Sequence, residues 1–214
     1  MIKASKLMRY LLLAVLTGTV FSVSSVHAAN VDLESRIAAE RIAVGTCAAC
    51  HGWKGRSIAP KFPVLAGQRA NYLLSQLRAF KAQTRGDPDA LGYMWGMAAP
   101  LDASTMAALA DYYSRQTALA GVREDPALLA RGAQIYQQGD SAEGIPPCAA
   151  CHGMGAAGTD MYPRLAGQHI EYLMKQLRSF QTNLRDVAIM HGVAQGLNEH
   201  DMRAVAAYLQ GLGP

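Results

Sequence analysis

The 214-residue chain is poor in cysteine, in aromatic residues and in charge. Four cysteines are too few to hold a protein of this length together by disulfides. Aromatic residues make up 7% and charged residues 17%, but apolar residues reach 50%, which excludes a disordered chain. Beyond residue 28 no apolar run approaches the roughly 20 residues of a membrane-spanning helix. Frequent Ala and Gly favour helices packed closely around a group that is not a side chain.

Residues 1–28 have the pattern of a secretory signal peptide. Three basic residues precede an apolar run over 11–23, and Val26 and Ala28 occupy the −3 and −1 positions of a cleavage site. A retained anchor is the alternative, but the run is shorter than a spanning helix needs. Removing 1–28 leaves 17 basic and 16 acidic side chains, a balance that gives no support to a nucleic-acid partner. We expect export to the periplasm.

The chain repeats itself once. Residues 62–80 align without gaps to 162–180, and 11 of these 19 positions are identical. The string CAACHG also occurs twice, beginning at Cys47 and at Cys148. This is a tandem duplication of a unit long enough to form its own core.

We predict two sequential domains: unit 1 over 29–118 and unit 2 over 126–214, joined by a linker over 119–125 in which Gly121 interrupts the helical pattern. Apolar residues recur at helical spacing in both units, and the loops between them show no alternating β pattern. The predicted fold class is therefore all-α.

The repeated string carries the chemistry. Cys47, Cys50 and His51 in unit 1 match Cys148, Cys151 and His152 in unit 2. A Cys-x-x-Cys pair alone fits a redox dithiol, part of a zinc site or a disulfide, whereas Cys-x-x-Cys-His is the attachment motif of c-type haem. The two thiols bond the porphyrin, and the histidine is placed to ligate its iron. We predict two covalent haem c groups, which would use all four cysteines.

With these motifs the chain resembles the diheme cytochromes c4, in which each half is like a class I cytochrome c. The resemblance covers nearly all of 30–214 and rests on the paired CAACHG, the PxLAGQxxxYLxxQLRxF segments, and a Met seven residues before a Leu that precedes the last helix. It implies two small helical haem domains related by a pseudo-twofold axis, with the haem edges near one another.

The second iron ligand of each haem is predicted from the repeat. Met94 lies seven residues before Leu101, as Met190 lies seven before Leu197, so these two methionines are assigned as distal ligands. Met97 is the reserve in unit 1, although it aligns with Val193, which cannot ligate. His191 is the reserve in unit 2. Met106 and Met202 align with each other on the final helices and are expected in the cores.

The environment of the haems is less fixed by the sequence. By resemblance, the carbonyl next to Pro63 or Pro163 accepts a hydrogen bond from the proximal histidine, with Pro60 as a competing choice in unit 1. Four repeated arginines fit either haem propionates or a solvated helix face: Arg78, Arg178, Arg85 and Arg185. His169 and His200 are expected at the surface.

The favoured function is a carrier of single electrons between respiratory-chain partners, toward a terminal oxidase, and not an enzyme. A diheme enzyme such as a peroxidase, and an electron-transfer subunit of a periplasmic dehydrogenase, are the alternatives. Partners are expected to be redox proteins, and peripheral membrane association stays open. The units differ in charge, +3 over 29–120 and −2 over 121–214, and Lys54, Arg56 and Lys61 make the loop after the first haem motif a candidate docking site for an acidic partner.

Overall fold

A computed structural model describes residues 33–122, 124–159 and 162–213; the predicted signal peptide over 1–28 lies outside them. Across these residues the chain is helical, with a single isolated bridge between Asp140 and Ile145 and no strand. None of the helices described is both long and apolar enough to span a bilayer. The all-α prediction is confirmed.

Apart from a 3₁₀ turn at Trp53–Gly55, the described residues of unit 1 form four helices. α1 runs over 33–51 and contains a π-helical turn, Ala43–Cys47, followed by an α-helical turn, Ala48–His51. The others are α2 (Ala70–Lys81), α3 (a π-helical turn Ala90–Met94 continuing as Trp95–Ala98) and α4 (Ala103–Ser114). Asp102 caps α4 by accepting a hydrogen bond from the Thr105 amide, as its residue type predicts.

Apart from a 3₁₀ turn at Ser141–Glu143, the part of unit 2 that the structure describes repeats this plan with five helices. They are α5 (Pro126–Gln138), α6 (Ala149–His152), α7 (Ile170–Gln181), α8 (Ala188–Gln195) and α9 (Glu199–Gly211). Asp125 caps α5, with Pro126 in its first turn, and Asn198 caps α9. The first helix and the haem-motif helix are separate here, whereas in unit 1 they are continuous.

Each unit has its own core. In unit 1, α2 and α4 pack against α1 around Leu73, Leu109 and Met106. In unit 2, α5 crosses α9 around Ile135, Val205 and Met202. Met106 and Met202 are buried, as predicted. The α5–α9 crossing is close because Gly132 lies against the Ala204 carbonyl, where a Cβ would overlap it.

The two units hold each other's haem-motif loops reciprocally. Arg69 of unit 1 donates from Nε to the Ala157 carbonyl at 2.9 Å and from Nη2 to the Gly158 carbonyl at 2.8 Å. At the matching position in unit 2, His169 Nε2 lies 3.0 Å from the Ser57 carbonyl of unit 1. The expectation that His169 lies at the surface was wrong, because this contact places it half-buried between the units.

A buried polar network lies between the units. The Arg85 guanidinium contacts Asp87 at 2.6 Å and Gln176 at 2.7 Å, and Arg185 contacts Gln176 at 2.8 Å and Tyr72 at 2.8 Å. Both arginines are buried, so the solvated helix face is wrong for this pair. Arg178 instead forms an exposed ion pair with Glu199, which fits that alternative.

Candidate haem sites

One cavity of about 930 Å³ contains both predicted sites. Most of its lining is apolar, and it includes every residue predicted to hold a haem. These are Cys47, Cys50, His51 and Met94 from unit 1, and Cys148, Cys151, His152 and Met190 from unit 2. The fold therefore brings together residues that are up to 143 positions apart in the sequence, and the two sites adjoin at the boundary between the units.

The proximal histidines are held in the same way in both units. Each ends a short helical turn, Ala48–His51 or Ala149–His152, and is followed by a glycine with positive φ, 74° at Gly52 and 78° at Gly153. His51 Nδ1 lies 3.0 Å from the Pro63 carbonyl oxygen, and His152 Nδ1 lies 3.1 Å from that of Pro163. The acceptors thus lie where the resemblance implied, and they are the carbonyls of Pro63 and Pro163 themselves; Pro60 is not the acceptor.

The electrostatics suit neutral imidazole ligands. Burial lowers the pKa of His51 and of His152, and the hydrogen bond to the proline carbonyl offsets part of that effect. With Nδ1 bonded to the carbonyl, Nε2 of each ring has no hydrogen-bond partner in the described chain and is free to ligate a metal. Burial also raises the pKa of the Cys47 thiol, and that of Cys148 to about 11.

On the distal side, Met94 ends the π-helical turn of α3 and is half-buried against Phe80, Ala90 and Ala98. Met97 also lines the cavity, but its side chain is 53% exposed. In unit 2, Met190 lies in α8. The reserve ligand His191 has its Nδ1 2.8 Å from the Phe180 carbonyl.

The segment before Met94 is four residues longer than its counterpart in unit 2, since nine steps separate Arg85 from Met94 and five separate Arg185 from Met190. The extra residues contact unit 2. The Gly86 amide donates to the Leu184 carbonyl at 3.2 Å, and Asp89 pairs with Lys175. The sequence does not show this asymmetric attachment, because the repeat alignment only reveals an insertion there.

The residues present fit haem c at both sites. Four cysteines without disulfides, two buried histidines with a free nitrogen, and an apolar cavity are the chemistry that covalent haem requires. Among the described residues no group of three or more His, Cys, Asp or Glu side chains is placed to hold a metal ion by itself.

Comparison with known proteins agrees with this geometry. The family model described as cytochrome c matches residues 38–115 and 129–213. Cytochrome c4 from Stutzerimonas stutzeri is 42% identical over 180 residues, which cover 79% of this chain and 85% of that protein. The chain belongs to the cytochrome c4 family. Like its relatives, this c4-type chain is a diheme electron-transfer cytochrome with two covalently bound haem c groups.

Two further proteins are similar to this chain. The structure of cytochrome c4 from Acidithiobacillus ferrooxidans superposes with a TM-score of 0.74 at 37% identity, covering 78% of this chain and 98% of that one. A protein from Thiomonas intermedia named thiosulfate dehydrogenase electron acceptor is 36% identical over 171 residues, which cover 77% of each chain.

The role of two buried glutamines was not predicted from the sequence. Gln68 and Gln168 occur at the same place in the repeated LAGQ string, and each reaches across to the other unit. The signal was available, because a glutamine repeated within an apolar segment needs a hydrogen-bond partner when it is buried. A repeat alignment does not say which chain segment supplies that partner.

Proposed function

We propose that this cytochrome carries single electrons between respiratory-chain partners in the periplasm, toward a terminal oxidase, and that domain boundaries follow the repeat, at 29–118 and 126–214. In this proposal His51 and Met94 ligate the first haem iron, and His152 and Met190 the second. One observation carries it: each Cys-x-x-Cys-His motif shares its cavity with the methionine that the repeat assigns to it.

Each haem supplies a one-electron couple when bound, and the protein's part is to hold its iron ligands still. The carbonyls of Pro63 and Pro163 fix the rings of His51 and His152. The cysteines attach each group at the apolar cavity, which limits the access of water. Two haems in one cavity would allow an electron to pass from one unit to the other within the chain.

A diheme enzyme would need an open coordination position and a polar distal pocket. Met94 instead packs against the apolar side chains of Phe80, Ala90 and Ala98. Two measurements test this proposal: a spectrum of the reduced protein under carbon monoxide, and an acid–acetone extraction of the haem. A carrier leaves both haems on the chain and does not bind carbon monoxide. Rapid carbon monoxide binding would favour the enzyme, and extractable haem would contradict covalent attachment.

A dehydrogenase partner is the second candidate, favoured by the similarity to the thiosulfate dehydrogenase electron acceptor. The two candidates share one chemistry and differ only in the electron donor. Mixing the oxidised cytochrome with a thiosulfate dehydrogenase and thiosulfate separates them. Reduction of the haems within the mixing time supports this donor, and unchanged spectra leave the respiratory donor as the candidate.

The loop after the first haem motif is the proposed docking site for an acidic partner. Trp53 is 60% and Ile58 93% exposed, while Gly55 and Ser57 between them are buried, so the loop turns these apolar side chains outward beside Lys54 and Arg56. We expect Lys54→Glu with Arg56→Glu to slow electron exchange with an acidic ferredoxin about tenfold at low ionic strength, and less as salt screens the charges. Arg203→Glu, exposed on α9, is the control. Equal rates for all three proteins would contradict this site.

A further inference from the structure

The peptide group that orients each proximal histidine is itself held by the opposite unit. The carbonyl of Pro63 accepts from His51, and the amide of the same peptide, Val64 N–H, donates to Gln168 Oε1 at 2.9 Å. Gln168 Nε2 then donates back to the Val64 carbonyl at 3.0 Å. Gln168 therefore pairs with the Val64 backbone of unit 1 through one accepted and one donated hydrogen bond, as a residue of a neighbouring β-strand would.

The same arrangement exists in the other direction. The carbonyl of Pro163 accepts from His152, and the Arg164 N–H of that peptide donates to Gln68 Oε1 at 2.7 Å. Gln68 Nε2 donates to the Arg164 carbonyl at 2.8 Å. Each unit thus contributes one glutamine to the ligand support of the other.

These contacts are buried and fixed in orientation. Gln68 is 7% and Gln168 6% exposed. Each Oε1 also accepts from the next amide of its own chain, Arg69 at 2.9 Å and His169 at 3.1 Å. Because the amide oxygen is bound twice and the amide nitrogen once, neither side chain can turn without leaving a buried polar group unpaired.

Hydrogen bonds in series through one peptide group strengthen each other. An acceptor at the Val64 N–H increases the negative charge on the Pro63 carbonyl, which then binds the His51 N–H more strongly. A more strongly bound N–H makes the imidazole a better donor to iron. Better donation stabilises the ferric form and lowers the reduction potential.

We propose that Gln168 sets the reduction potential of the haem in unit 1 and Gln68 that of the haem in unit 2, each acting across the boundary between the units. They are positioning residues, since they touch the peptide and not the haem. The inference rests on the proposed ligation by His51 and His152. It goes beyond that proposal because it makes each haem's potential a property of the opposite unit.

The experiment is a potentiometric titration of the protein with both haems bound, resolving the two centres. Loss of Met94 or of Met190 in reference variants assigns each potential to its haem. We expect Gln168→Leu to raise the reduced-to-oxidised ratio of haem 1 about threefold at a fixed potential, which is about 30 mV for a one-electron couple. The reduction potential of haem 2 should not change. Gln68→Leu should raise the potential of haem 2 and leave that of haem 1 unchanged.

Two further variants separate this effect from a loosened interface. Gln168→Glu keeps an acceptor for the Val64 N–H and makes it stronger, so it should lower the potential of haem 1 where Gln168→Leu raises it. His169→Leu removes the neighbouring inter-unit bond, which goes to Ser57 and not to the ligand's peptide. This variant should leave both reduction potentials within a few millivolts of the wild type. That is small against the 59 mV that corresponds to a tenfold change in the reduced-to-oxidised ratio.

The inference would be overturned if a glutamine variant shifted the reduction potential of the haem in its own unit, or shifted both haems equally. It would also be overturned if Gln168→Leu and Gln168→Glu shifted the potential of haem 1 in the same direction, or if no glutamine variant shifted either potential. A wild-type protein that fails to titrate as two reversible one-electron centres would count against the proposed function instead. If the wild type titrates normally and the variants have the same reduction potentials as the wild type, only the cross-unit effect is refuted.

Discussion

At the scale of single residues, Met94 and Met97 present the choice that matters most for haem 1. They lie one helical turn apart, and both line the cavity, but Met94 is held among apolar side chains while Met97 is mostly exposed. A thioether fixed in position loses less conformational entropy when it ligates than an exposed one does. Packing therefore favours the same residue as the repeat alignment.

We predict that Met94→Ala and Met190→Ala each alter the spectrum of one haem and lower its potential, because a thioether ligand raises the potential of a haem. The other haem should stay nearly unchanged. Met97→Ala should have a mild effect. The measurement is the methionine-to-iron charge-transfer band of the ferric protein. Loss of the band of haem 1 in Met97→Ala, with retention in Met94→Ala, would show that the assignment is wrong.

A second residue-scale feature is the buried carboxylate of Asp201 in α9. Arg131 Nε donates to it at 2.8 Å, and this hydrogen bonding lowers the pKa of Asp201. Because the carboxyl's folded pKa lies below its unfolded value of about 3.9, the stabilisation is complete above about pH 4 and is lost as the pH falls through the folded value.

We expect Asp201→Asn to reduce the unfolding free energy of unit 2 by about 2 kcal/mol at pH 7, the scale of a hydrogen bond to a charged group. The loss should shrink below pH 4, because protons bind to the Asp201 carboxyl of the unfolded wild-type chain before they bind to that of the folded chain. Urea unfolding at pH 7 and near pH 3 measures both values. A difference between variant and wild type that is the same at the two pH values would contradict the role of this charge.

At the scale of helices, the crossing of α5 over α9 depends on the absence of a side chain. A Cβ at Gly132 would overlap the Ala204 carbonyl and crowd Tyr208, so the two helices would have to separate. Core positions resist added volume because interiors are already densely packed.

We predict that Gly132→Ala lowers the unfolding free energy of unit 2 by about 3 kcal/mol, at the upper end for overpacking by one methyl group because backbone is in the way. Gly192→Ala is the matched control, since a Cβ in this α8 glycine meets nothing within 4 Å. That control should be neutral or stabilising by up to about 1 kcal/mol through helix propensity. Thermal unfolding of the two variants decides, and equal melting temperatures would refute the close-crossing argument.

At the scale of the whole molecule, the Arg85–Arg185 network joins the two units through buried polar groups. The two arginines differ in one respect: Arg85 is paired with the buried carboxylate of Asp87, while the partners recorded for Arg185 are the neutral groups of Gln76, Gln176 and Tyr72. Removing Arg85 would leave a carboxylate buried without its cation.

Arg85→Met should therefore cost about 3 kcal/mol of unfolding free energy, and Arg185→Met less than half of that. Because the lost contacts join the units, Arg85→Met should also split unfolding into two transitions, each followed by the absorbance of one haem. Calorimetry of both variants measures this. Equal destabilisation by the two substitutions would show that Asp87 does not set the cost.

Much of the structure can be predicted from the sequence, and the features that cannot be predicted are missed for identifiable physical reasons. The repeat and its Cys-x-x-Cys-His strings predict the helical fold and the haem cofactors, because spacing alone carries that information. The inter-unit contacts of Arg85, His169 and Gln168 do not follow, since helical periodicity tells which residues leave the solvent but not which surface covers them. The π-helical turn that ends at Cys47 likewise cannot be predicted from the apolar pattern.

The reciprocal hold of the two haem-motif loops has a consequence for the history of the chain. Arg69 and His169 occupy matching positions and bind matching loops, so each contact has a counterpart with the units exchanged. A contact set of that kind is what a twofold dimer of identical subunits makes with itself. Two separate copies of one ancestral unit could have formed this interface before their genes were fused. Copies joined in one chain would be free to diverge, and here an arginine at position 69 makes the contact that a histidine makes at position 169.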